Sequence, residues 1–329
     1  TFSVTGELKA PYCIAYPAAN AGEVVFAAQQ SYVEGTFSNG ASTMYGYSEN
    51  GEGVVLRHLT GVLKIGVVAD ASLGEKNLVY AQVSTIDRTP IAGEFAFDFE
   101  NGKLGEPVKD ASTEVISYSF GDGVLLDTAL PTYLHIAVPA GKYDELYVTL
   151  YDEDGGVMYA TVKAGDSKPL AAGKVREFKK DGVEQVIVYT PNDTAFVIKN
   201  VDDLYNFATS GLSKDAVLVN DIDLTKDEQN RTWTTISSSY KKTFHGNGYA
   251  INGLTAPLFG TTNADIHHLT LADVALNITD NGNSGAFARR IIGGSLRHCS
   301  ATGTSTIDCS SYDSPDKTNS YFVYAHGGL

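Results

Sequence analysis

The sequence predicts an all-β protein in two parts: an N-terminal antiparallel β-sandwich region, residues 1–182, and a C-terminal right-handed parallel β-helix, residues 183–329, with a short capping helix. Three observations carry that expectation. The first is aromatic usage: 19 tyrosines and 14 phenylalanines stand against two methionines among 329 residues, and aromatic side chains suit a pleated, half-buried surface. The second is period-two alternation of apolar residues through the first half. The third is a series of short apolar bursts in the second half, separated by Gly and Asn and repeated at a fixed offset.

In the first half the alternating sets are Leu63, Ile65 and Val67; Phe95, Phe97 and Phe99; Leu134, Ile136 and Val138; and Leu146, Val148 and Leu150. Turn signals lie between them: Ser38-Asn39-Gly40, Glu49-Asn50-Gly51, Glu100-Asn101-Gly102 and Glu153-Asp154-Gly155-Gly156. Such residues tolerate positive φ or bond to their own backbone, so hairpins follow. Strands with one apolar face each bury those faces against a second sheet, which makes one or two sandwiches the economical solution.

The pattern lapses at Lys179-Lys180-Asp181-Gly182, and the domain boundary is placed near 182. Beyond it, Asn200 is a capping candidate, with Asp202 and Asp203 in the first turn and Leu204, Phe207 and Ala208 at helical spacing. In a first coil, Val217 and Val219 point inward, Asn220-Asp221 makes the corner, and Ile222 and Leu224 continue the stack. The run from Phe244 to Leu254 is turn punctuation at solenoid spacing. Ile266-His267-His268-Leu269 and Leu296-Arg297-His298-Cys299 are two copies of one unit, 30 residues apart. A coil of this kind cannot bury its apolar side alone, so repetition implies stacking. Tyr321 to Leu329 opens a third copy.

Composition excludes several function classes. The formal charge of -15 argues against nucleic acid as a partner, because phosphate backbones are held by clustered Lys and Arg. No apolar run is long enough to span a membrane as a helix. The chain begins without Met and reads as a processed product. Cys13, Cys299 and Cys309 are too few and too poorly spaced for a zinc site. Cys299 aligns with Leu269 and is expected to fill an inward slot; a Cys299–Cys309 bridge is left open. No cofactor and no metal is expected. Catalytic signatures such as GxSxG, HExxH or a Walker loop are absent.

Asp221 and Asp223 form the most tempting carboxylate pair, suited to calcium or to acid–base work, and are read as solvated corner residues. Trp233, the sole tryptophan, is read as a cap or core residue in preference to a sugar platform. Tyr240, Tyr312, Tyr321 and Tyr324 pose the same choice. Of His267 and His268, one ring is expected to pack while the other faces water. Lys241, Lys242, His245, Arg289, Arg290, Arg297 and His298 are the main basic positions, and stacked coils would align some of them into a strip for acidic sugars or a neighbouring subunit. The ligand-binding candidates are therefore Tyr240, Lys241, Lys242, His245, Arg289 and Arg290, with no catalytic residue.

Gln30 to Phe37, Leu56 to Ile65, Ile91-Ala92-Gly93, Val138-Pro139-Ala140-Gly141 and Ala171 to Val175 together resemble fimbrillin-like proteins of the bacterial surface, over residues 1 to 182. That resemblance implies β-sandwich modules, export as a lipoprotein, and polymerisation into fimbriae by strand addition between subunits. The helix around Leu204, the Asp221 to Leu224 coil, Trp233, the Phe244 to Leu254 run and Ser284 to Gly303 resemble the GLUG-type repeats of adhesin β-helices. No lipobox accompanies Cys13, which follows Ala10-Pro11-Tyr12. The expected protein is a cell-surface, outer-membrane or fimbria-associated adhesin. Its partners would be other fimbrial subunits and a host or microbial glycan, held by the β-helix. The alternatives are a polysaccharide lyase or glycoside hydrolase working on the β-helix sidewall, and a purely structural fimbrial subunit.

Overall fold

The computed structural model describes residues 9–51, 53–163, 168–180, 182–236, 239–277 and 285–308. It is all-β, 52% strand and 5% helical, in line with the aromatic-rich, methionine-poor composition. Two compact units emerge: one takes residues 1–153 and 157–192, the other 154–156 and 193–329. The boundary expected at 182 falls inside the first unit. Strand Val186–Tyr189 lies beyond that point, yet it pairs in parallel with Thr60–Ala69 and so completes a first-unit sheet. The third repeat copy at Tyr321, the Cys309 thiol, Tyr312 and Tyr324 lie outside the described residues.

In the first unit the alternation resolves into long strands. Thr60–Ala69 pairs antiparallel with Thr132–Pro139, Leu63 opposite Ile136 and Ile65 opposite Leu134. A second sheet runs Gly156–Lys163, Glu145–Asp152, Asn77–Thr85, Val115–Leu125, Gln29–Ser31. Leu63, Ile65, Val67, Leu134, Ile136, Val138, Leu146, Val148 and Leu150 are all buried in one cluster, drawn from both sheets. Phe95 and Phe97, on Ala92–Asp98, belong elsewhere. With Val24 and Phe26 they form a second small core, where Phe26 meets Phe95 edge-on at 5.2 Å and Phe97 meets Tyr45 at 4.7 Å.

One edge of the first sheet is closed by side chains instead of a strand. The Gln30 carboxamide accepts from the Ala137 N–H at 2.9 Å and donates to the Ala137 carbonyl at 2.7 Å. The Tyr118 hydroxyl accepts from the His135 N–H, and Tyr143 donates to the Pro139 carbonyl at 2.7 Å. Pro139 itself has no N–H to leave unpaired.

The second unit is built from strands of two to six residues in parallel ladders. One runs Asp193–Ile198, Asp215–Leu218, Thr243–His245, Asp265–His267, Ser295–Arg297. Another runs Ile222–Asp223, Ala250–Asn252, Thr270–Ala272, Ser300–Thr302. Phe259–Thr262 pairs with Ala288–Ile291, and Ala275–Asn277 with Thr306–Asp308. Ile266 lies opposite Leu296, as the 30-residue offset predicts, and Cys299 is buried beside Leu269.

The apolar columns Phe196, Ala216, Phe244, Ile266, Leu296 and Ile222, Ile251, Leu271, Ala301 stack in register. The first coil meets its expected parity in part. Val217, Val219, Ile222 and Leu224 are all buried, and Ile222 and Leu224 join the core cluster, but so do Ala216 and Leu218, while Val217 shares a row with His245 and His267 on the other face. Leu296, in the last described turn, is still 39% exposed.

Close stacking sets two glycines. A Cβ on Gly246 would overlap the Leu269 backbone, and one on Gly294 the Ala264 carbonyl, so neither position accepts a side chain. The short helix forms over Val201–Asn206, with the Asn200 side chain accepting from the Asp203 N–H at 2.9 Å. A π-helical turn, Phe207–Gly211, continues it. Leu204 and Phe207 are buried, and the Phe207 ring meets Tyr240 at 5.3 Å and Phe244 at 5.5 Å.

Candidate ligand-binding face

Because Phe244 and Ile266 point into the core, period two sends Thr243, His245, Asp265, His267, Ser295 and Arg297 to the opposite face of the same ladder. Successive turns place Val217, His245, His267 and Arg297 in one row and Asp215, Thr243, Asp265 and Ser295 in the next. Asp215 accepts from the Thr243 N–H at 2.9 Å, and Asp265 from the Ser295 hydroxyl at 2.5 Å. Both carboxylates tie one turn to its neighbour.

His268 and His298 follow the strands at equivalent places. Each sits in the left-handed region, with φ of 52° and 50°, a conformation in which His, Asn and Asp are enriched among non-glycine residues. The shared corner geometry throws both rings the same way, and they stack at 4.7 Å with 14° between their planes. That separation is the spacing of hydrogen-bonded strands. His245 meets His267 edge-on at 5.6 Å, and His267 lies 6.4 Å from His268. Four histidines from three turns thus form one cluster.

Burial is the main cause that keeps His245, His267 and His268 neutral. It pushes His245 down to about 4, helped by His267 and opposed by Asp215. His268 also falls to about 4, through burial and then its neighbours His298, His267 and His245. His267 is lowered by burial and by Arg297 against the opposing pull of Asp265. The Nε2 atoms of His267 and His268 are buried and find no hydrogen-bond partner among the described residues. The cluster is not arranged for a metal. Parallel stacked rings aim their in-plane lone pairs side by side, and no group of three or more His, Cys, Asp or Glu converges among the described residues.

The basic strip expected from the sequence is divided. His245, His267, His268, Arg297 and His298 come together. Arg289 and Arg290, both exposed, sit on Ala288–Ile291 in a different ladder. Lys241 and Lys242 are exposed in the segment leading into Thr243–His245. Tyr240 is a correction. It is 1% exposed, its ring stacks on Phe259 at 5.4 Å, and its hydroxyl lies 2.7 Å from the Thr243 carbonyl and 3.0 Å from that of Lys214. Burial raises its pKa, and it offers no surface to a sugar.

The division of labour expected for His267 and His268 also fails, since both rings are half-buried. Trp233 is a core residue whose indole N–H donates to the Pro257 carbonyl at 3.3 Å. Asp221 accepts from the Ala250 N–H, and Asp223 caps Leu224–Lys226 while pairing with Lys226 at 2.9 Å. The Thr225 hydroxyl, chief among its partners, draws Asp223 down to about 2. These carboxylates hold corners.

The His268–His298 stack escaped sequence reasoning, although its signal was present in the aligned copies Ile266-His267-His268-Leu269 and Leu296-Arg297-His298-Cys299. A second contact had no such signal. In the first unit the Ser42 hydroxyl lies 2.9 Å from His58 Nδ1 and 2.8 Å from the Thr60 hydroxyl. No carboxylate orients that imidazole among the described residues, so the pair lacks the third member of a nucleophilic triad. No protein-family model matches the chain, and no curated protein matches it significantly.

Proposed function

We propose that this chain is a cell-surface or fimbria-associated adhesin. Its first unit is a fimbrillin-like β-sandwich region, and its second a right-handed parallel β-helix, plugged by the Val201–Asn206 helix, that presents a host or microbial glycan with a rigid sidewall. The observation that carries this reading is the register of the second unit. An inward apolar residue recurs in each turn, and the opposite row, which begins at the buried Val217, carries His245, His267 and Arg297 in the next three turns, so that face is fixed by backbone stacking and needs no closure to form. Arg297 and the exposed lysines suit an acidic sugar, and neutral imidazoles supply hydrogen bonds.

Docking to other subunits would use strand addition at an open edge. The Thr132–Pro139 edge is closed by Gln30, Tyr118 and Tyr143. Val175–Glu177 and Val186–Tyr189 pair only with Thr60–Ala69 among the described residues, and Val175 and Val188 are exposed. That is the edge offered to a partner strand.

One observation favours an enzyme as the second reading. Asp265 and Arg297 both act electrostatically on His267, and a carboxylate beside a base and a cation is what a lyase or hydrolase requires. A glycan array on the full chain, with reducing-sugar and lyase assays on every hit, separates the two. Binding without product, weakened in Arg297→Ala, is expected. Product formation would transfer the assignment to the enzyme, and an array without hits would remove the adhesin.

A further inference from the structure

We propose that the first unit carries a sugar-binding platform of its own, distinct in residues and in ligand class from the His245 face. It lies on the outward side of the sheet containing Glu145–Asp152 and Gly156–Lys163, is centred on Tyr147 and Tyr159, and takes a neutral glycan chain.

The inner face of that sheet is apolar and buried through Leu146, Val148, Leu150 and Val162. Alternation therefore turns Tyr147, Thr149, Tyr159 and Thr161 outward. Registers place Tyr147 opposite Thr161 and Thr149 opposite Tyr159, so the two tyrosines are diagonal neighbours, about 7–8 Å apart by the usual sheet geometry. On the adjoining strand Ser84 lies opposite Tyr147 and Gln82 opposite Thr149. Tyr147 is 50% exposed and Tyr159 55%. Two large rings thus share one solvent-facing side of the sheet, flanked by hydroxyls and a carboxamide.

The occupant follows from the chemistry. These two rows contain Tyr, Thr, Ser, Gln and Val and no ionisable acid or base other than the phenols, within a chain of formal charge -15. The nearest ion pair, Lys163–Glu145 at 2.8 Å, marks one rim, and the other rim is closed where Tyr80 and Tyr151 are buried. Lys163, the cation beside these rows, is already paired with Glu145, so an acidic sugar, a phosphate or an anionic membrane would meet no net positive charge there. A peptide strand would add at an edge, where backbone groups are offered, and not across a face. A pyranose fits: its C–H face stacks on an exposed aromatic ring, and its hydroxyls exchange hydrogen bonds with Ser84 and the two threonines. A linear chain crossing the strands diagonally would touch both tyrosines.

The test is affinity electrophoresis of the full chain through gels containing dextran, mannan, laminarin or xylan, with polygalacturonate as the anionic comparison. Retardation by at least one neutral polymer is expected. Affinity should fall about tenfold in Tyr147→Ala and in Tyr159→Ala, the loss typical of a central aromatic anchor, and survive in Tyr147→Phe, since stacking does not need the hydroxyl. Thr161→Lys, which places a charge on the platform, should also weaken it. Arg297→Ala should leave it intact, which separates this site from the His245 face. The proposal is overturned if no neutral polymer retards the protein, if only polygalacturonate does, or if both alanine variants migrate as the parent does.

Discussion

The two units solve the same problem with opposite strand economies. The first relies on antiparallel strands of up to 11 residues, the longest of them contributing three or four inward side chains each, so the loss of one contact is shared along a strand. The second uses strands that mostly contribute a single inward residue, such as Phe244 on Thr243–His245 or Ile266 on Asp265–His267. Its cohesion is therefore carried by columns that cross turns. The lesson concerns the outward side as much as the core: whatever fixes the column inside also fixes the row outside, which is how four histidines from three turns become one cluster.

The sharpest way to break this contrast is to remove one member of a column. Phe244 is fully buried and touches the rings of Phe207 and Phe259, so Phe244→Ala should cost about 3–5 kcal/mol. Native-state hydrogen exchange should place the loss in amides of 215–218 and 265–267. Uniform loss across both units would show that the columns are not the unit of cohesion.

A second effect follows from the outward row. His245 and His268 hold pKa values of about 4, below the ordinary 6.5, so the unfolded chain binds their protons first. Stability should be level above about pH 6.5 and fall by about 2–4 kcal/mol in all as pH drops toward 4. The groups that face these rings set the same sign: His267 opposes protonation of His245 with Asp215 only partly offsetting it, His298, His267 and His245 oppose that of His268, and Arg297 outweighs Asp265 at the neighbouring His267. The first unit supplies one comparable group, His135, also lowered by burial. Melting temperatures against pH should therefore flatten in His268→Asn, a replacement that tolerates the positive φ. An unchanged acid slope in that variant would detach the histidines from stability.

Legibility in the sequence followed the same divide. Alternation named the inward residues of Thr60–Ala69, Thr132–Pro139 and Glu145–Asp152, because a strand buried on one face must repeat every second residue. It did not show that Phe95 and Phe97 feed a separate core, since alternation says which side is buried and not against what. In the second unit the offset of 30 fixed the partners of Ile266 and Leu269. In the first coil the burial of Val217, Val219, Ile222 and Leu224 was legible, but not that Ala216 joins the column of Phe244, because 28, 22 and 30 residues separate Ala216, Phe244, Ile266 and Leu296. Turns of unequal length leave parity undetermined until the ladder forms, and a slip of one residue exchanges the two faces. Tyr240 was misplaced for a related reason: a tyrosine beside two lysines reads as surface, and only the stacked Phe259 and the paired carbonyls show that it is core.

The smallest predicted effect tests how the long-strand unit guards its edge. Gln30 is 3% exposed and occupies both backbone groups of Ala137, with a further bond to the Ala27 carbonyl at 3.0 Å. It imitates a neighbouring strand for one residue. Gln30→Leu keeps the bulk but leaves a buried N–H and C=O unpaired, which should cost about 1–3 kcal/mol. Gln30→Glu retains the acceptor for the Ala137 N–H while losing both donations, and should fall at or below the parent and be sensitive to pH. The leucine variant should also associate more than the parent in sedimentation at rising concentration, because an unplugged edge is a template for another strand. If it is as stable and as dispersed as the parent, burial alone protects Thr132–Pro139, and the choice of Val175–Glu177 and Val186–Tyr189 as the docking edge loses its main support.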